Sequence, residues 1–126
     1  RAPSDAQRDA LARDVLAELE AVCRRRGLRY ALEETMRAAA APSDPAWQQR
    51  WERAVDALGL PVHRMPSGAG HDAMKLHEIM PQAMLFVRGQ NAGISHNPRE
   101  STTSDDIQLA AQAMLNLLDN LAHETP

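Results

Sequence analysis

A chain of 126 residues, 44% apolar and 25% charged, has the composition of one folded domain rather than of a disordered segment. A net charge of −3 leaves no basic footprint to neutralise phosphates, which argues against a nucleic-acid partner. The longest unbroken apolar run, Ala83 to Val87, is far too short to span a bilayer. The single cysteine, Cys23, cannot form an internal disulfide, so a reducing cytoplasm is the expected setting.

The first predicted element is a helix. Ser4 and Gln7 have the spacing of a capping box at its start. Leu11, Val15, Leu16, Leu19, Val22 and Cys23 follow as one apolar stripe with a period of 3.6. Arg24, Arg25 and Arg26 suit the negative end of the helix dipole, and Gly27 supplies a left-handed stop. Leu28 to Met36 alternates as a half-buried strand does. The small residues after Arg37 run into a turn at Pro42, where a boundary divides the chain into residues 1–42 and 43–126. Ser43 or Asp44 caps a second helix, with Pro45 in its first turn and Trp47, Trp51, Val55 and Leu58 as its inward stripe before Gly59.

Leu60 to Met65 reads as a short extended piece, and Asp72 to Met80 as a short helix stopped by Pro81. Ala83 to Val87 has no polar alternation, as expected of a strand covered on both faces of a sheet. Arg88 to Thr102 is a long loop, a kind of segment that in a small domain is either functional or disordered. Thr103 to Asp106 opens a last helix whose Ile107, Ala110, Met114, Leu117, Leu118 and Leu121 are expected inward. Strands alternating with helices predict an α/β fold.

Two loops carry the chemistry. His71 sits where a glycine-rich loop turns into a helix, a place from which a ring N–H can be offered to a developing oxyanion. The amides of Gly70 and His71 would also suit a carboxylate or phosphate. The competing reading, which the pattern alone slightly favours, has Asp72 capping the helix and His71 merely on the surface. His96 follows the apolar run Ala83 to Val87, where α/β enzymes place their sites, and neutral imidazole is the commonest metal ligand. No second His, Asp or Glu shows ligand spacing with it. Asn97, Pro98 and Arg99 read equally well as turn residues, with Arg99 and Glu100 as a surface ion pair.

Taken together, Pro66-Ser-Gly-Ala-Gly-His-Asp-Ala73, the apolar run that follows, Gly93-Ile-Ser-His-Asn-Pro-Arg-Glu100 and Asp105-Asp-Ile107 resemble the C-terminal part of one family. It is the amidase/hydantoinase-carbamoylase family: N-carbamoyl-L-amino-acid hydrolases, β-ureidopropionases and allantoate amidohydrolases. The Gly-Ala-Gly-His-Asp loop separates that branch from related peptidases and aminoacylases, which carry an acidic pair in the corresponding loop. The resemblance runs from about Ser43 to the end and is looser over residues 1–42.

The resemblance implies the C-terminal part of a dinuclear-metal aminopeptidase-like catalytic domain, preceded by the second half of an α+β dimerisation lid. Residues 1–42 would be the partial lid and its return linker, and residues 43–126 the catalytic part. His96 is then like the last metal ligand, and His71 like the histidine that stabilises the tetrahedral intermediate. Gly70, His71 and Arg1 would bind substrate, Arg1 with a guanidinium suited to a carboxylate. It further implies two divalent metal ions (Zn, or Mn, Co or Ni) in the full-length enzyme and none fully held by this chain. A small carbamoyl or ureido acid would be the substrate and a second copy of the enzyme the partner, with no nucleic acid and no membrane. The family's His-x-Asp segment, paired glutamates and second metal-binding histidine are missing here. That departure, with an opening on Arg1 rather than Met, leads to the expectation of a C-terminal fragment. The rival expectations are a non-catalytic binding or dimerisation module, and a peptidase or aminoacylase of the same architecture.

Overall fold

The computed structural model describes residues 2–124. Their elements are α1 (Asp5–Arg26), α2 (Pro45–Asp56), the single turn α3 (Ala73–Leu76), a 3-10 turn at Asn91–Gly93, and α4 (Ser104–His123). They divide into two units. One comprises the segment up to Pro42 together with Met65–Glu78; the other comprises Ser43–Arg64 and the segment from Ile79 onward.

In the first unit the Ser4 hydroxyl accepts the Gln7 N–H at 3.3 Å and starts α1. Gly27, at φ 65°, ends it. The Leu28 N–H reaches the Cys23 carbonyl at 2.9 Å and the Gly27 N–H reaches that of Arg24 at 3.4 Å, the paired bonds of a Schellman stop. Both helix signals therefore act where the sequence puts them. The apolar stripe is only partly covered: Cys23 is buried, Leu16, Leu19 and Val22 are half-buried, and Leu11 and Val15 are exposed. The chain beyond α1 returns to the first turns of the helix. Arg37 donates to Asp9 at 2.9 Å, Arg8 donates to the Ala38 carbonyl, and Asp5 accepts the Ala40 N–H at 2.9 Å. Arg37 also grips Glu34 through two nitrogens. That hydrogen-bonded contact holds the Glu34 carboxyl below its ordinary value.

The second unit is built on α2 and α4, which pack on each other. Asp44 accepts the Trp47 N–H at 3.0 Å, with Pro45 in the first turn, while the Asp44 N–H donates to the Gln82 carbonyl at 2.7 Å. Thr103 caps α4 by accepting the Asp106 N–H at 3.0 Å. The buried apolar residues of this pair are Ala54 (0% exposed), Ala113 (2%) and Leu117 (4%). Asn116 crosses to donate to the Ala54 carbonyl at 3.3 Å. At the far end Arg50 pairs with Glu124 at 2.7 Å and lies 4.8 Å over the Trp47 ring. Its hydrogen bond pulls the Glu124 carboxyl below the usual carboxylate value. Small residues let the helices approach, so Ala54→Leu should overpack the contact and lower unfolding stability by about 1–3 kcal/mol, measured by urea denaturation. An unchanged midpoint would show that the interface is loose.

Several expected elements differ. Among the described residues no strand forms: Leu28 to Met36, Leu60 to Met65 and Ala83 to Val87 are irregular. The α/β alternation is therefore not realised in this chain taken alone. The physical reason is that a strand exists only beside another strand that completes its hydrogen bonds, and none of these segments has such a neighbour here. Leu28, Leu32 and Met36 are exposed accordingly, as are Phe86 and Val87. The helix expected over Asp72 to Met80 shrinks to α3, with turns over residues 77–79; Pro81 disfavours helical backbone at Met80, and nothing in the structure explains the earlier end at Leu76. On α4, Leu117 is buried and Ala110 and Leu121 are half-buried. Ile107, Met114 and Leu118, expected inward, are exposed on a face that α2 does not cover. No helix among the described residues is long and apolar enough to cross a membrane.

Candidate functional site

The glycine-rich loop belongs to the first unit. Ser67 folds over it, its hydroxyl donating to the Ala69 carbonyl at 3.0 Å and accepting the Ala69 N–H at 3.3 Å. Gly70 lies beside Met74: a Cβ there would stand 3.4 Å from the Met74 sulfur, in van der Waals contact. The His71 carbonyl accepts the Met74 N–H at 2.9 Å and starts the turn, leaving the imidazole exposed. Asp72 has helical backbone and makes no side-chain capping bond. Of the competing reading, the Asp72 cap does not form, while His71 does lie exposed on the surface. With only one turn behind it, this loop derives little from a helix dipole. What it offers is the exposed ring of His71 and the exposed backbone at Gly70.

The second loop, in the other unit, is closed by its own hydrogen bonds. The Thr102 hydroxyl donates to the Arg88 carbonyl at 2.7 Å, and the Gln90 N–H donates to the Ser101 carbonyl at 2.8 Å. Asn91 reaches across the neck, donating to the Arg99 carbonyl at 2.7 Å and to the Ser101 hydroxyl at 3.3 Å. Gly89 packs so near Gly93 that a Cβ would lie 3.4 Å from the Gly93 Cα. The long segment is thus a pinned Ω-type loop, and His96 is exposed upon it.

His96 has left-handed backbone, φ 56°, a region that non-glycine residues enter at a cost. Its N–H donates to a Glu100 carboxylate oxygen at 2.8 Å, while the Glu100 N–H donates to the Asn97 carbonyl at 2.9 Å. Asn97 also accepts the Arg99 N–H at 3.0 Å through its side chain. The expected Arg99–Glu100 surface ion pair is replaced by this brace. Sequence reading took Glu100 for a surface charge and did not single out Asn91, Ser101 or Thr102. The available signal was a turn sequence, Asn-Pro-Arg-Glu, that returns a carboxylate four residues after the histidine.

Gly70 and His71 thus share one loop, His96 lies on another in the second unit, and Arg1 lies outside the described residues. Among the described residues no group of three or more His, Cys, Asp or Glu comes together to hold a metal ion. Imidazole is a ligand type that suits a zinc-class ion, and His96 alone does not complete such a site.

Known proteins resemble this chain over most of its length. The chain is 33% identical over 115 residues to the N-carbamoyl-L-amino acid amidohydrolase of Geobacillus stearothermophilus, a match covering 91% of this chain and 28% of that protein. It is 33% identical over 110 residues to the allantoate amidohydrolase of Bacillus subtilis (strain 168), covering 87% and 26% respectively. It is 38% identical over 103 residues to a probable allantoate deiminase of Oryza sativa subsp. japonica, covering 73% and 21%. The chain thus spans roughly a quarter of the length of these curated relatives. No solved structure gives a significant match. The family model described as Peptidase family M20/M25/M40 matches residues 7–120, a span that contains both histidine loops. On that match over nearly its whole length, the chain belongs to peptidase family M20/M25/M40.

Proposed function

We propose that this chain is the C-terminal part of a metal-dependent amidohydrolase that cleaves linear C–N bonds of carbamoyl or ureido acids, such as N-carbamoyl-L-amino acids or allantoate. The observation that carries the reading is His96. It shares left-handed backbone with Asn91 and Ala92 of the same loop, and of these three it is the one that carries an imidazole, held at φ 56° with its ring exposed. Backbone strain kept in place by surrounding bonds is characteristic of functional positions. The names of the relatives supply the substrate class.

In this reading His96 gives one metal ligand, and the exposed His71 ring donates a hydrogen bond to the oxygen that gains charge as the carbonyl is attacked. The Gly70 N–H and Arg1 take the substrate carboxylate, Arg1 by charge and planar shape. Bound divalent ions in such a centre supply Lewis-acid activation of water and carbonyl. Residues 1–42 belong to a dimerisation lid and residues 43–126 to the catalytic domain, in a cytoplasmic homodimer whose α/β sheet is completed by the rest of the protein. The exposed apolar side chains of α4 and of Phe86 and Val87 support a sheet completed by the rest of the protein.

The test is a substrate panel on the whole protein that carries this chain, read as ammonia release and amine formation. Carbamoyl and ureido acids should exceed dipeptides and N-acyl amino acids in kcat/KM by about a hundredfold or more. Dipeptide cleavage without ureido hydrolysis would refute the reading in favour of a peptidase.

A further inference from the structure

We infer that Glu100 is the positioning residue of His96: its carboxylate accepts the His96 N–H, fixes the left-handed backbone, and thereby sets where the imidazole is carried. The inference rests on the proposed role of His96 as a ligand and adds a residue to it.

The argument begins with cost. A histidine at φ 56° stays there only if its surroundings over-determine the conformation. The carboxylate–amide bond of 2.8 Å is of the charge-assisted kind, about twice as strong as a neutral one. Glu100 is itself held in register, since its own N–H is bonded to the Asn97 carbonyl at 2.9 Å. The two bonds close a small ring from residue 96 to residue 100, with Pro98 restricting the chain between them. The loop neck is closed by Asn91, Gln90 and Ser101, and it meets the brace at one peptide: Asn91 donates to the Arg99 carbonyl, while the adjoining Glu100 N–H donates to Asn97. Within that shared frame the Glu100 carboxylate is the partner that reaches the His96 amide. A carboxylate is also the acceptor that suits the task chemically. It reaches the backbone amide and leaves both ring nitrogens of His96 available.

The experiment compares Glu100→Ala, Glu100→Gln and His96→Ala in the whole protein, by amide hydrogen exchange of the metal-free form and by zinc affinity in competition with a chromophoric chelator. Glu100→Ala should speed exchange at the His96 amide by about tenfold or more and weaken zinc by about 10–100-fold, the usual cost of losing a residue that orients a ligand. The Gln90 and Gly93 amides, held at the loop neck, should stay protected, which separates lost orientation from a melted loop. Glu100→Gln keeps a carbonyl acceptor of the same length and should recover most of both losses. Unchanged exchange and unchanged zinc affinity in Glu100→Ala, with zinc lost in His96→Ala, would overturn the inference while leaving the ligand role intact. Unchanged zinc affinity in His96→Ala would instead defeat the ligand role, and the inference with it.

Discussion

If the proposed activity holds, replacing His71 with alanine in the whole protein that carries this chain is expected to lower kcat by about 10²–10³-fold while KM changes little. That is the effect of removing one donor that acts on charge developing in the transition state. The side chain is exposed on the glycine-rich loop and buries nothing, so unfolding stability should move by less than about 0.5 kcal/mol. Loss of activity with an unchanged melting temperature therefore assigns a chemical role. His71→Asn offers an amide donor in a similar place and should retain part of the rate. A kcat within twofold of the native value, measured under saturating carbamoyl substrate, would return His71 to an ordinary surface position.

On the proposed ligand role, replacing His96 with alanine should have the larger effect, removing measurable turnover, because alanine offers no metal-binding atom in place of the imidazole. The backbone allows a sharper form of the test. Glycine adopts φ 56° freely, so His96→Gly should be as stable as the native protein or about 1 kcal/mol more stable, and yet equally inactive. Inactivity in His96→Gly without loss of stability would separate the imidazole from the strain that carries it. If His96→Gly kept full activity, the imidazole would not be a ligand and the proposed role of His96 would fall.

The local signals of the sequence were legible because they depend on neighbours a few residues away. Ser4, Gly27, Asp44 and Thr103 cap or stop helices as their types require, and those bonds form within four or five positions. The strands were not, because Leu28 to Met36 and Ala83 to Val87 carry strand-like patterns whose partners must come from elsewhere in space. Pattern records what a segment can do beside a partner, not whether one is present. The same reason explains the apolar face of α4, where Ile107, Met114 and Leu118 have the right period and stay exposed. At the site, His71 and His96 stood out by type and by their glycine- and proline-rich surroundings. Glu100 did not, since a glutamate beside an arginine reads as a surface pair until its carboxylate is seen on the His96 amide.

The most direct measurement is the metal content of the whole protein and of its His96→Ala variant, determined by elemental analysis on samples whose folding has been matched. The account predicts two divalent ions per native chain and the loss of at least one in the variant, together with the loss of ureido hydrolysis. Equal metal content in the two proteins, with hydrolysis retained, would contradict it.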